Sequence, residues 1–178
     1  MLFRSNILGP LTNPASALGH VLGVFSEDLV SRLADVAARL GMEHVLVVHG
    51  RAGVDEICLC CPTLVGEMSY GEIRRYVLRP EDLGLTAAKP EALVGSDPPA
   101  AAAEAVGILR GEQRGAKRDM VLANSAAGIY VGGKVESLVE GLGVANEALD
   151  SGRAFERLRD LVRATGGDLS EVDGHGRA

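Results

Sequence analysis

"HVLGVFSEDLVSRLADVAARLGMEHVLVV", residues 20 to 48, decides the fold because it reads as strand, helix, strand. "HVLGVF" (20–25) is an apolar run of strand length. Ser26 is a good N-cap, and Glu27 and Asp28 complement the positive end of a helix dipole. Leu29, Val30, Leu33, Val36, Ala37 and Leu40 then recur at helical spacing until Gly41 stops the helix. "HVLVV" (44–48) is a second continuous apolar strand. A strand–helix–strand unit of this length makes its two strands parallel and covers them on both faces.

Outward from this unit the pattern changes. "EICLC" (56–60), "TLVGEMS" (63–69) and "EIRRYVL" (72–78) read as short strands, with "SYGE" as the turn between the last two. "RPEDLGL" (79–85) closes this meander as a turn or helical stub. Asp97 caps a helix with Pro98 at its first position, running to Gly111. Further helices are predicted over 117–130, stopped by Gly132 and Gly133, and from Ser137 to Asp150. A last one over 153–165 is expected to bury Phe155, Leu158, Leu161 and Val162. The fold class expected is α/β: part of a mainly parallel sheet flanked by helices, with a short antiparallel meander. Residues 1–165 form this α/β domain, and 166–178 a polar, frayed tail. Two parallel strands need further neighbours, yet residues 5–19 are turn-rich, so the chain reads as the later part of a larger domain.

Composition narrows the function. Aromatics are 3% of the chain, with no Trp, so a base-stacking platform is not expected. A net charge of -6 argues against binding a nucleic-acid backbone, whereas a small phosphorylated ligand remains open if a metal supplies positive charge. No apolar run spans a bilayer and "MLFRSNILGP" has no signal-peptide core, so the expected location is cytoplasmic, away from membranes. Cys58, Cys60 and Cys61 lack metal-site spacing and a nearby His, and read as small buried apolar side chains.

The candidate chemistry lies in "VVHGRAGVDEICLC" (47–60). Asp55 and Glu56 follow a glycine-bracketed loop at the end of an apolar strand, where α/β proteins bind ligands. Such a pair suits either a solvated turn or a hard divalent cation and the phosphates it carries. His49, at the strand end, could serve a phosphate or simply bond nearby backbone. The chain carries no Walker A, G-x-G-x-x-G or Ser-His-Asp pattern.

Read together, "LGPLTNPA" (8–15), "VLVVHG" (45–50) and "GVDEI" (53–57) resemble anthranilate phosphoribosyltransferase. "PTLVGEM", "GEIRRYVLRPEDLGL" and "ILRGEQRGAKRDMVLANSAAGIYVGGK" agree in order and spacing, so the resemblance runs from Asn6 to Val162. It implies the C-terminal half of the nucleoside phosphorylase/phosphoribosyltransferase large domain. The implied reaction transfers phosphoribosyl from phosphoribosyl pyrophosphate to the amino group of anthranilate, releasing pyrophosphate, in tryptophan biosynthesis. By the same resemblance, Asp55 and Glu56 hold Mg²⁺ on the pyrophosphate, and Gly9 and Pro10 lie beside the anthranilate pocket. Asn13 is expected to shape the turn, and Arg118, Asp119 and Asn124 to be helix and packing residues.

The family's Gly-Thr-Gly-Gly-Asp pyrophosphate loop and its helical domain, through which full-length members form homodimers, have no counterpart in this sequence. The chain alone is accordingly expected to be inactive. The other readings are a relative of the pyrimidine nucleoside phosphorylases and a non-catalytic interaction module.

Overall fold

A computed structural model describes residues 9–12 and 17–174, so Asn13 lies outside the described residues. Strand β1 (Gly19–Gly23), helix α1 (Glu27–Arg39) and strand β2 (His44–Gly50) form the expected unit. β1 and β2 pair in parallel, Gly19 opposite His44 and Gly23 opposite Val48. Helix α1 ends in a Schellman motif: the Met42 N–H donates to Ala37 O and the Gly41 N–H to Ala38 O, with Gly41 at φ 73°. At its start the Ser26 hydroxyl donates to the Asp28 carboxylate and makes no side-chain cap bond to the backbone.

Strands β3 (Thr63–Ser69) and β4 (Glu72–Leu78) complete a four-stranded mixed sheet of order β1-β2-β3-β4. Both added pairings are antiparallel. The two-residue turn of Tyr70 (φ 47°) and Gly71 (φ 88°) has positive φ at both central positions, which matches the strand twist. "EICLC" is not a strand. After an isolated bridge between Gly50 and Val54, residues 55–62 run as irregular backbone with Ile57, Cys58 and Leu59 buried.

β2 explains the two layers. Val45 and Val47 face α1, joining Val30, Leu33, Ala34 and Ala37. Leu46 and Val48 face the other way, toward Ala123, Ala127 and Val131 of helix α3 (Ala116–Val131). Val45, Leu46 and Val47 are all 0% exposed. Burying each such side chain contributes on the order of 1.5–3 kcal/mol, so this strand anchors both layers.

Helices α2 (Pro98–Leu109) and α4 (Leu138–Asp150) pack with α3 through Ile108, Leu122, Ala145 and Leu149. Asp97 caps α2 by accepting from the Ala100 N–H, as the sequence predicts. Helix α5 (Arg153–Ala164) differs from expectation, because Leu161 is 60% exposed and the helix buries no residue fully. The tail also differs: residues 169–174 form a short helix, α6 (Leu169–Gly174), instead of a frayed end. Arg110 holds it by donating to Val172 O and Asp173 O, both at 3.0 Å, while its guanidinium covers the Phe155 ring. No helix among the described residues is long and apolar enough to cross a membrane.

Candidate functional site

A cleft of about 560 Å³ opens at the carboxyl ends of the parallel pair. Val21 and Gly23 of β1 and Val48 of β2 form its floor, and Asp55 and Glu56 rise beside them. Its size and position are those of a small-molecule site in an α/β fold.

The wall is a stripe of α3, with Lys117, Met120, Val121, Asn124 and Ser125 facing the cleft. Helical periodicity divides α3 three ways. Ala123, Ala127 and Val131 cover the sheet, Arg118 and Leu122 turn toward α4, and the third face is left to the ligand side. Arg118 is 4% exposed and donates to Asn146 Oδ1 (2.9 Å) and Asp150 Oδ1 (2.8 Å), so it is a packing residue, as expected. Asn124 does more than pack. Its Oδ1 accepts from the Ile57 N–H at 2.9 Å and its Nδ2 donates to Ile57 O at 3.0 Å. This side chain replaces the strand ladder that "EICLC" lacks and fixes the backbone directly after Glu56.

The acidic loop is seated from the other side by a missing side chain. A Cβ at Gly23 would stand 1.8 Å from the Asp55 carbonyl oxygen, so only glycine admits the loop against the end of β1. Gly50 and Val54 close the loop with N–H···O bonds of 2.9 and 3.3 Å, and Gly53 takes φ 86°. Both carboxylates are exposed, and among the described residues neither is hydrogen-bonded or ion-paired. Two free oxygen donors with open solvent suit Mg²⁺, which keeps several waters and takes one or two carboxylates.

Lys117 is the cation in this wall, and it is already committed. Its Nζ contacts both Glu104 oxygens at 2.7 and 2.8 Å and Ser96 Oγ at 3.4 Å. Hydrogen bonds from Lys117 and then Ser96 hold the Glu104 carboxyl below the usual carboxylate range. A polyanion entering this cleft therefore needs positive charge from a bound cation or from elsewhere.

His49 resolves to the backbone role, with Nδ1 on Val24 O at 2.8 Å. Cys58 is buried as expected, whereas Cys60 and Cys61 are partly exposed. Burial pushes the Cys58 thiol up; Cys60 is raised first by its hydrogen bond with Cys58 and then by burial.

The structure does not bring Gly9 and Pro10 to the cleft. Both are exposed on a short helical turn, and Pro10 lines a separate hollow of about 220 Å³ with Leu18, His20, Leu40 and Met42. Leu18 precedes β1, His20 is its second residue, and Leu40 and Met42 precede β2, so the hollow lies at the amino ends of the strands, opposite Asp55 and Glu56. The resemblance implies an anthranilate pocket beside Gly9 and Pro10; next to them Leu11 packs against the core cluster that contains Val30, Leu33 and Ala37. Lys117, Met120, Val121 and Ser125 were not singled out from sequence, although their spacing along α3 marks one helical face.

A parallel strand pair with an acidic loop at its carboxyl end, beneath a helix-lined cleft, defines an α/β ligand-binding domain. More narrowly, the chain belongs to the family described as "Glycosyl transferase family, a/b domain", which matches residues 4–155. It is 47% identical over 157 residues to anthranilate phosphoribosyltransferase of Thermoanaerobacter sp., covering 88% of this chain and 46% of that protein. The crystal structure of anthranilate phosphoribosyltransferase from Thermus thermophilus is similar with TM-score 0.80 and 44% identity, over 88% of this chain and 46% of that one. The Saccharomyces cerevisiae enzyme in complex with PRPP and Mg is similar with TM-score 0.75 and 25% identity, over 94% of this chain and 46% of that one. The chain thus spans about half the length of the relatives it matches.

Proposed function

We propose that this chain supplies the metal perch and one wall of a phosphoribosyl-transfer site, in which phosphoribosyl pyrophosphate donates its ribose to the amino group of anthranilate. The observation that carries the reading is the free Asp55–Glu56 pair at the cleft floor, in a chain 47% identical to an anthranilate phosphoribosyltransferase. The yeast relative bound to PRPP and Mg supports the same ligands.

Asp55 and Glu56 would hold Mg²⁺, each through carboxylate oxygen. When bound, the ion neutralises charge that builds on the departing pyrophosphate. Gly23 and Asn124 fix the loop, so the two acids need not reorganise as that charge develops. Val21, Leu93, Ile108 and Val121 give the cleft an apolar wall against which the ribose and the aromatic amine would pack. An amine attacking an electron-poor ribose carbon chiefly needs orientation, which accounts for a site without an acid–base pair.

The test is an assay with both substrates and Mg²⁺. The 178-residue chain alone is expected to give no turnover. A chimera joining it to the amino-terminal part of the Thermus thermophilus relative is expected to turn over. In that chimera Asp55→Ala with Glu56→Ala should reduce kcat by about 10²–10³-fold. Full turnover by the unmodified chain alone, or by the doubly substituted chimera, would show the reading to be wrong.

A further inference from the structure

The loop that carries the acidic pair also gathers three thiols. The sulfurs of Cys58, Cys60 and Cys61 all lie within 4.8 Å of one another, and Cys58 Sγ is 3.2 Å from Cys60 Sγ. We propose that these three sulfurs form a site for a soft d¹⁰ divalent cation of the Zn²⁺ class, separate from the oxygen-donor site at Asp55 and Glu56.

Three observations carry the proposal. The first is distance. A cation bonded to sulfur at about 2.3 Å holds its thiolates roughly 3.8–4.0 Å apart, so the sulfurs need only small movements to converge on one ion.

The second is rigidity. The Cys58 N–H donates to the Thr63 hydroxyl at 2.9 Å, Leu59 O accepts from the Ala88 N–H at 2.9 Å, and Pro62 O accepts from the Arg51 N–H at 3.0 Å. The segment is therefore tied to β3, to the chain after β4 and to the acidic loop before any ion arrives, which lowers the ordering cost of ligation. The third is the direction of nearby donors. The Ala52 N–H points at Cys61 Sγ (3.1 Å) and the Cys60 N–H at Cys58 Sγ (3.3 Å), and such N–H groups stabilise sulfur that becomes anionic on ligation.

Donor chemistry fixes the class of ion. Thiolates select Zn²⁺, Cd²⁺ and Cu⁺ over Mg²⁺, while the neighbouring carboxylates prefer the hard ion. Among the described residues no histidine or carboxylate joins the three sulfurs. Cys60 and Cys61 are partly exposed, so the fourth position is left to water. Each thiol releases its proton to solvent as its sulfur bonds the ion, and no electron is transferred.

The experiment titrates the purified chain with Cd²⁺ under a phosphine reductant and follows the ultraviolet thiolate-to-cadmium absorption. One ion per monomer is expected, with Zn²⁺ competing and millimolar Mg²⁺ not. Cys60→Ser and Cys61→Ser, at partly exposed positions, should keep the far-ultraviolet dichroism of the parent and lose affinity about 10–100-fold. Asp55→Ala with Glu56→Ala should leave the titration unchanged. That last arm separates this proposal from the phosphoribosyl reading, since either can fail without the other. Absence of the absorption, its persistence in both serine variants, its removal by Mg²⁺, or an ion shared between two chains would each overturn the proposal.

Discussion

The two ends of this sheet use carboxylates in opposite ways. At the amino end of β2, Glu67 is 8% exposed and fully occupied. Its oxygens accept from Tyr130 Oη at 2.7 Å and from Tyr76 Oη at 3.0 Å, and lie 3.0 Å from His44 Nε2. At the carboxyl end, Asp55 and Glu56 are exposed and have no partner among the described residues. Burial alone would raise the Glu67 carboxyl; the bonds from Tyr130, His44 and Tyr76 outweigh it and hold the group below the ordinary glutamate value. The tyrosines answer in kind. Burial, then the bond to Glu67, pushes Tyr130 up to about 12, and Tyr76 is raised still further. A carboxylate satisfied by its own fold holds structure, whereas one positioned by the fold and left unsatisfied is available to a ligand.

Replacing Glu67 should break the comparison from its structural side. Glu67→Leu strands two partly buried hydroxyls and a histidine, at a cost of about 3 kcal/mol. Urea unfolding would read this as a lower midpoint, while Mg²⁺ binding at the far end is expected to stay within about twofold. A neutral substitution would mean that the network holds nothing together.

Gly23→Ala attacks the other end, and its effect is smaller but double. The added methyl meets the Asp55 carbonyl, so the acidic loop must lift. About 2 kcal/mol of destabilisation is expected, together with weaker Mg²⁺ binding measured by calorimetry. Gly128→Ala is the control, since a Cβ there meets nothing within 4 Å. Affinity for Mg²⁺ equal to that of the parent in Gly23→Ala would show that the loop's seat does not matter to the acids.

The uneven legibility of the chain follows from the same contrast. Residues 20–48 declare their structure locally, because periodicity, the cap region at Ser26 and the stop at Gly41 all lie within the segment. Asp55 and Glu56 were readable for the same reason: their place after an apolar strand is a property of neighbouring residues. "EICLC" misled because its apolar β-formers are held by Asn124, 67 residues further along, and by the hydroxyl of Thr63. The order given to 169–174 depends on Arg110 and Arg159, and no window on the tail contains them. Leu161 follows the helical period yet stays exposed, since no described element covers that side of α5.

Tyr130→Phe is the mildest probe, because it removes one hydroxyl of the Glu67 network and leaves the ring beside His44. The loss at about pH 7 should be about 1 kcal/mol. Its pH dependence is more telling than its size. Glu67 has a folded value below its unfolded value, so its contribution is present above the unfolded value and lost as pH falls through the folded one. Without the Tyr130 donor the folded value moves back toward the unfolded one, so the loss is smaller and is complete at higher pH. Wild type and variant should therefore differ most near neutrality and converge in acid, once the carboxyl is protonated in both. Urea midpoints at about pH 7 and about pH 3 test this directly. A gap of equal size at both would mean that Tyr130 acts through packing alone, and that the contrast between the two ends of the sheet is not one of carboxylate charge.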